Sequence, residues 1–226
     1  MNHTFRIFVA SNRVVIVSLI TGIASASLAI CLHLFKASSP WAYTFLVVYA
    51  IFQGLLVYAA SVQTFYSKVA LLDSLLRAIH SDLGLLATDR IAIHILLDGK
   101  AQTYVQLTNY YPTKTGMGRV FHFTYGLTGR SFKTRLPTAY KTPIALTFNE
   151  AMTRDWAYTT EERMRLTQDR RSFFAMPVGQ EGEMARGVIY MDSSNSETFA
   201  PERMEQISKR IAATFLSIVE GLLVAT

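Results

Sequence analysis

A basic segment in the middle of the chain carries the residue types best suited to binding an anion. From Lys114 to Arg171 there are eleven basic and five acidic residues, an excess of six positive charges. Arginine presents a planar fork of N–H donors that matches phosphate and carboxylate, and the interleaved aromatic residues could stack on nucleotide bases. The segment therefore predicts a site for a small anionic, nucleotide-like ligand, formed by Arg130, Arg154, Arg171, Phe123, Tyr125 and Trp156.

A second interpretation of the same segment is a basic face turned towards a membrane surface. Basic side chains near anionic lipid headgroups gain about 1 kcal/mol each, so positive charge alone does not identify a soluble ligand. The two interpretations differ in the role of Arg154, because only a ligand site would require it for binding. The sequence leaves both open.

No catalytic or metal-binding set is visible in the sequence. His80, His94 and His122 are scattered, and the motifs of zinc proteases, serine hydrolases and phosphate-binding loops do not occur. The alternating strand positions of His94 and His122 favour structural roles. The single cysteine, Cys31, allows neither an internal disulfide nor a cysteine metal site. We therefore expect no enzymatic activity, no metal and no cofactor, while an enzyme on this scaffold remains a third functional class.

Two long runs without charged residues open the chain and predict a membrane protein. Residues 14–35 and 41–67 contain no Lys, Arg, Asp or Glu, and about 20 apolar residues in a helix cross a bilayer. We expect a transmembrane hairpin with helices at residues 14–35 and 41–62. Basic residues flank both ends of the hairpin, and the positive-inside rule then places both termini in the cytoplasm of a bacterial inner membrane: Arg6, Arg13, Lys68 and Arg77.

Two features of these runs have alternative interpretations. The first run could be a cleaved signal peptide, although its length and the second run that follows favour two uncleaved spans. Gln53, in the middle of the second run, predicts either one hydrogen bond between helices or a polar lining for a pore.

A helix at residues 63–86 is expected to connect the second span to the rest of the chain. Its apolar residues recur at spacings of three and four, which predicts a seam resembling that of a coiled coil. The seam consists of Phe65, Val69, Leu72, Leu76, Ile79 and Leu83. It packs either on another chain or on the domain that follows, and the sequence does not decide between these.

The remaining residues, 87–226, predict an α+β domain with a central antiparallel sheet flanked by helices. Alternating apolar residues indicate strands at 90–97, 103–110, 119–124, 172–178 and 187–192. A closing helix begins near Pro201. Its predicted apolar face is Met204, Ile207, Ile211, Phe215, Ile218 and Leu222.

Three segments of this domain resemble the GAF-domain family. The first segment is similar to the end of such domains and consists of Gly187-Val-Ile-Tyr-Met-Asp192, then Phe199-Ala-Pro-Glu-Arg203 and an amphipathic helix. Gly126-Leu-Thr-Gly129, with Pro137 after it, resembles a helix in the middle of the fold, and Arg171–Val178 resembles the penultimate strand. The resemblance implies a small-molecule sensor whose ligand lies between the sheet and the middle helices. The fold alone does not fix which ligand.

The order of these parts predicts a membrane effector. No kinase, cyclase or DNA-binding domain follows the sensor-like domain, so we expect the spans to be the output. A cyclic nucleotide or oligonucleotide would drive the chain to assemble as a homo-oligomer and disrupt the lipid bilayer, an architecture similar to effectors of bacterial antiviral nucleotide signalling. The alternative is a membrane-anchored receptor that signals to a separately encoded kinase, cyclase or transcription factor. We expect no DNA binding in either case.

Overall fold

The computed structural model describes residues 40–98, 102–123, 126–156, 158–164, 166–179 and 185–224, together with Ile23 and Ile30. The chain divides into two compact units, Met1–Lys68 and Val69–Thr226. We call the second one the C-terminal unit. Helix α1, Pro40–Asp82, begins in the first unit and ends in the second.

The expected transmembrane hairpin falls on the first unit. Its first span, residues 14–35, lies outside the described residues except for Ile23 and Ile30, and its second span lies in the N-terminal part of α1. Among the described helices, none is both long enough and apolar enough to cross a bilayer.

The C-terminal part of α1 resolves the question of what the predicted seam packs on. Val69, Leu72, Leu76 and Ile79 are all buried within the single chain, with Leu76 and Ile79 fully inaccessible. From Val69 to Ile79, the seam is thus part of the chain's own core. An ion pair between Asp82 and Arg210 joins the end of α1 to the closing helix (2.8 Å).

A six-stranded antiparallel sheet forms the centre of the C-terminal unit. Its strands are β1 Arg90–Asp98, β2 Thr103–Gln106, β3 Val120–His122, β4 Thr138–Lys141, β5 Ser172–Val178 and β6 Gly187–Ser193. Their order is β3-β2-β1-β6-β5-β4, and every neighbouring pair is antiparallel. The sheet with its flanking helices confirms the predicted α+β class.

Helices flank this sheet before and after its last hairpin. The middle segment forms α2 Gly126–Thr134, α3 Phe148–Trp156 and α4 Thr160–Met164. The closing helix starts with a 3₁₀ turn, Pro201–Arg203, and continues as α5 Met204–Ile211, a π-helical turn Ala212–Leu216 and α6 Ser217–Val224.

The π-helical turn changes which face of the closing helix is buried. A π-helix inserts one extra residue relative to the α-helical repeat. Beyond Phe215 the buried positions are therefore Val219 and Leu223, whereas the predicted Ile218 is about half exposed. The predicted face is correct at Ile207, Ile211 and Phe215 and is displaced by one residue after the turn.

The two faces of the sheet have different chemistry. One face is apolar. It carries the buried side chains of Ile91, Ile93 and Ile95, which are alternate residues of β1. Leu223 of the closing helix packs on this apolar face, close to Gly187. A Cβ atom added at Gly187 would lie 2.5 Å from Leu223 Cδ1. The opposite face carries polar and aromatic side chains, and it forms the floor of a cavity.

Candidate functional site

A cavity lies between the polar face of the sheet and the middle helices. Its floor is formed by β1 and β6, and its cover by the first turn of α2, by α3 and by residues 166–170. About 50 Å³ is open to the centres of water-sized molecules. Because one water needs about 10–15 Å³ by that measure, this is room for several waters or one small ligand. We call it the arginine-lined cavity, after Arg90, Arg119 and Arg170.

A buried ion pair closes one end of the cavity floor. Arg90 begins β1 and is directly opposite Asp192 of β6 in the antiparallel register. Its Nε and Nη2 atoms donate to the two carboxylate oxygens of Asp192 at 2.7 and 2.6 Å, and its Nη1 donates to Thr167 Oγ1 at 2.7 Å. Such a bidentate pair fixes both side chains in position.

The surroundings of this pair keep its charges in place. Burial disfavours the charged form of Arg90, but the hydrogen bonds and the charge of Asp192 more than offset this and raise the Arg90 pKa. The guanidinium carbon lies 4.4 Å from the centre of the Tyr110 ring, a cation–π contact. Burial raises the pKa of Tyr110, and the negative charge of Asp192 adds to the increase, so this phenol is neutral.

Two further arginines make the cavity lining positive. Arg170 is buried, and its Nε lies 3.0 Å from Asp169 Oδ1 and 3.6 Å from Asp192 Oδ1. Arg119 is exposed, and among the described residues it has no carboxylate partner. Because Asp169 pairs with Arg170 from beside the lining, three arginines against two aspartates leave an excess of one positive charge among the described residues.

The other end of the floor holds His94. It lies on the same face of β1 as Arg90, four residues away, which is about 13 Å along a strand. Only 2% of His94 is exposed, and among the described residues its Nδ1 atom is buried without a hydrogen-bond partner. Burial lowers the pKa of His94 from 6.5 to about 3, so the imidazole is neutral near pH 7.

The cover of the cavity depends on a glycine at the start of α2. Gly126 has a φ of +67°, a backbone conformation that glycine adopts without a steric penalty. A Cβ there would lie 2.1 Å from the Tyr158 hydroxyl oxygen, so the glycine also lets Tyr158 approach the helix. The first N–H groups of a helix have no partner within the helix and suit an anion.

The residues predicted from the sequence to form the site have different surroundings where the structure describes them. Trp156 lines the cavity, and Phe123 is buried in the apolar cluster beneath the middle helices. Tyr125 lies outside the described residues. Arg130, Arg154 and Arg171 are exposed and are not part of the cavity lining.

Two of the three exposed arginines have partners outside the cavity. Arg154 pairs with its neighbour Asp155 (2.7 Å), which also accepts a hydrogen bond from Tyr140. Arg171 donates to the backbone oxygen of Leu146 at 3.3 Å.

The residues that line the floor were not selected from the sequence, although weak signals existed. Arg90 is a charged residue at the head of an otherwise apolar strand, and Asp192 ends the Gly187–Asp192 motif. The two are 102 positions apart, so their pairing required knowledge of the strand order. For His94, alternation with isoleucines along the strand favours a structural role.

Comparisons with known proteins bear on the fold. No protein-family model and no curated protein sequence matches this chain. A type II free methionine-R-sulfoxide reductase from Thermoplasma acidophilum is 13% identical with a TM-score of 0.49, over 71% of this chain and 94% of the reductase. The GAF domain of a sensor histidine kinase from Bacillus halodurans is 17% identical with a TM-score of 0.44, over 66% of this chain and 95% of that domain. The GAF domain of an Acinetobacter phosphoenolpyruvate-protein phosphotransferase is 15% identical with a TM-score of 0.41, over 73% of this chain and 92% of that domain.

These comparisons correct one prediction. The expectation that the chain is not an enzyme is wrong, because the structures similar to it include methionine-R-sulfoxide reductases, which are enzymes. Nothing in the comparisons supports the expected antiviral disruption of membranes. The C-terminal unit has a GAF-like α+β fold, and the similarity to these distant proteins ends with the fold.

Proposed function

We propose that the C-terminal unit is a sensor that binds a small anionic ligand in the arginine-lined cavity. The observation that carries this proposal is the net positive charge around the cavity, where Arg90, Arg119 and Arg170 outnumber Asp192 and Asp169 among the described residues. Arginine N–H groups in a partly enclosed site bind carboxylate or phosphate more strongly than they do in open water. Arg119, exposed and without a carboxylate partner among the described residues, is the proposed first contact of the anion.

The size of the cavity restricts the ligand. An interior that holds several waters accepts a small aromatic or aliphatic acid without rearrangement. The nucleotide-like ligand predicted from the sequence is bulkier, and it would enter only if the cover formed by α2 and α3 moved away. Both kinds of anion carry the charge that Arg119 would bind, so the experiment includes both.

Titration calorimetry on the full-length chain tests this proposal. We expect saturable binding of benzoate, adenosine monophosphate or a cyclic mononucleotide. Replacing Arg119 with Gln should weaken that binding about tenfold or more, the cost of a lost charged hydrogen bond. Arg130→Gln, an exposed arginine outside the cavity, is the matched control and should leave affinity unchanged. Failure of every anion to bind, or equal losses in the two variants, would contradict the proposal.

We also propose that the N-terminal segments attach this sensor to the bacterial inner membrane as a homo-oligomer, with both termini in the cytoplasm. The support is in the sequence, where residues 14–35 and 41–67 lack charged residues and are flanked by basic ones. Since α1 runs from the second of these segments into the C-terminal unit, a change in its packing is the proposed link between ligand and membrane.

Dye release from liposomes that carry the full-length chain distinguishes the two outputs predicted from the sequence. Leakage that starts when a bound anion is added supports a membrane effector. Binding without leakage supports a receptor that signals to a separate protein. Recovery of the chain in the supernatant after an alkaline carbonate wash of the membranes would contradict membrane insertion in both cases.

A further inference from the structure

Two tyrosine side chains of the arginine-lined cavity, Tyr110 and Tyr190, present hydroxyl groups that form no hydrogen bond with a described residue. Tyr110 is 8% exposed, and Tyr190 is partly exposed although it lies on β6, a central strand of the sheet. Neither oxygen is among the fully enclosed polar atoms that lack a partner. Both hydroxyls are therefore accessible from the cavity, and a molecule bound there can form hydrogen bonds with them.

The two phenols lie beside the charged end of the cavity floor. Their ring centroids are 6.1 Å apart in an edge-to-face contact, and the Tyr110 ring covers the guanidinium of Arg90. Burial raises the pKa of Tyr190, and the charge of Asp192 adds to the increase, so this phenol is neutral like that of Tyr110. The charges of Arg90 and Arg119 lower the pKa of Tyr110 in part, against its burial. Arg119 therefore lies near the same phenol.

The balance of charge around the cavity suits a ligand with a single negative charge. Three arginines exceed the two nearby aspartates by one among the described residues. A second negative charge on the ligand would lose its hydration without gaining a counter-charge. Neutral phenols supply hydrogen-bond donors without adding positive charge, and a bond from such a donor to an anionic oxygen is a strong one.

The walls of the cavity suit an aromatic ring. Flat, apolar side chains pack against a ring by stacking or edge contacts. Eight aromatic residues belong to the lining: Tyr104, Tyr110, Phe121, Phe148, Trp156, Tyr158, Phe173 and Tyr190. A benzoate-sized ligand would place its ring among these side chains and its carboxylate towards Arg119.

We infer that the ligand is a singly charged aromatic carboxylate, and that Tyr110 and Tyr190 bind its carboxylate together with Arg119. This inference rests on the proposed function, because it assumes that an anion occupies the arginine-lined cavity. It adds two neutral donors to the charged one, and it assigns the preference for one negative charge to the balance between arginines and aspartates.

Equilibrium dialysis of benzoate against the full-length chain tests the two hydroxyls. Tyr110→Phe and Tyr190→Phe should each weaken binding about tenfold, the cost of one hydrogen bond to a charged group. Neither variant should lower the melting temperature, because neither hydroxyl bonds to a described residue. Tyr111→Phe is the matched control, since Tyr111 packs against His80 outside the cavity lining. Unchanged affinity in both cavity variants, or a loss that comes with a lower melting temperature, would overturn the role of the tyrosines.

Phenylphosphonate tests the preference for a single charge. It resembles benzoate in size and carries two negative charges in mildly alkaline buffer, where we expect it to bind about tenfold more weakly than benzoate. Binding as tight as that of benzoate would overturn the assignment to a singly charged ligand. If benzoate fails to bind but adenosine monophosphate binds, this inference is wrong and the proposed function stands. Absence of binding by all three anions would overturn both.

Discussion

The ion pair between Arg90 and Asp192 shows how a single contact defines one end of the cavity. The two side chains are 9% and 2% exposed, and Arg170 and Thr167 complete their surroundings. A buried pair costs free energy to desolvate, but losing one partner costs more, because the other charge is then buried alone. The pair is therefore a structural requirement for the floor as well as a source of its polarity.

Replacing Asp192 with Asn tests that requirement. The substitution leaves the Arg90 charge buried without its counterion, and we expect the free energy of unfolding to fall by about 3 kcal/mol or more. Urea unfolding of the full-length chain, followed by circular dichroism, measures the loss. Glu205→Gln breaks the exposed pair with Lys209 (2.6 Å) and is the control, which should leave the unfolding midpoint unchanged. Similar midpoints for the two variants would show that the buried pair is dispensable.

His94 gives the folded chain a specific dependence on pH. Its pKa is about 3 in the folded state against an ordinary value of 6.5, so between these values the unfolded chain takes up a proton that the folded chain does not. Stability attributable to His94 therefore falls as the pH drops from 6.5 towards 3, by up to about 1.4 kcal/mol for each pH unit. We expect the melting temperature of the wild type to fall more steeply between pH 6.5 and 4 than that of His94→Phe. If the melting temperatures of the wild type and of His94→Phe fell in parallel with pH, that result would contradict a neutral, buried His94.

At the scale of single residues, composition and structure point to different positions for an anion site. The count of basic residues in the middle segment pointed to an anion site, and Arg119, Arg170 and Trp156 from this segment do line the cavity. Arg90 and His94 lie outside that segment. They come to the site because β1 is central in the sheet and presents alternate residues to the cavity, a fact of topology that residue counts do not contain.

Among the elements, α2 is the one whose start most directly shapes the cavity. The glycines at 126 and 129 predicted a helix opening there, and the structure confirms α2 at Gly126–Thr134. The reasons are steric at both positions. A Cβ at Gly126 would meet the Tyr158 hydroxyl, and a Cβ at Gly129 would lie 2.5 Å from the backbone oxygen of Phe123.

Gly126→Ala is expected to destabilise the C-terminal unit. Alanine at a φ of +67° costs about 1–2 kcal/mol, and the clash with Tyr158 adds to that cost. Gly221→Ala is the matched control, because Gly221 lies in α6 with open space around it, and alanine favours a helix over glycine by about 1 kcal/mol. Thermal unfolding should move the two midpoints in opposite directions. A Gly126→Ala variant as stable as the wild type would contradict the packing of Tyr158 against α2.

Elements with a clear period were predictable, and those without one were not. β1, β5 and β6 follow their alternating apolar residues closely, whereas β4 has four half-buried residues and no apolar alternation, so it was missed. β2 ends at Gln106 rather than at Tyr110. The π-helical turn in the closing helix has no sequence signal of the kind that a proline or glycine provides, and the displaced face after Phe215 follows from it.

For the C-terminal unit as a whole, the class of fold was predictable and its topology was not. Alternating strands followed by an amphipathic helix favour an antiparallel sheet covered by helices. The placement of β6 between β1 and β5 depends on contacts between residues about 100 positions apart, such as Arg90 with Asp192. The cavity depends on that placement, since its floor combines β1 and β6, the first and last strands along the chain and the two central strands of the sheet.

The most direct test of the account is the position of a bound anion. Crystals of the full-length chain would be soaked with 4-bromobenzoate, and the bromine located from its anomalous scattering. The account predicts a bromine peak inside the arginine-lined cavity, near Trp156, with the carboxylate within hydrogen-bonding distance of Arg119 in the refined complex. A bromine found only outside the cavity, or no ordered bromine at saturating concentration, would contradict the claim that this cavity is the anion-binding site.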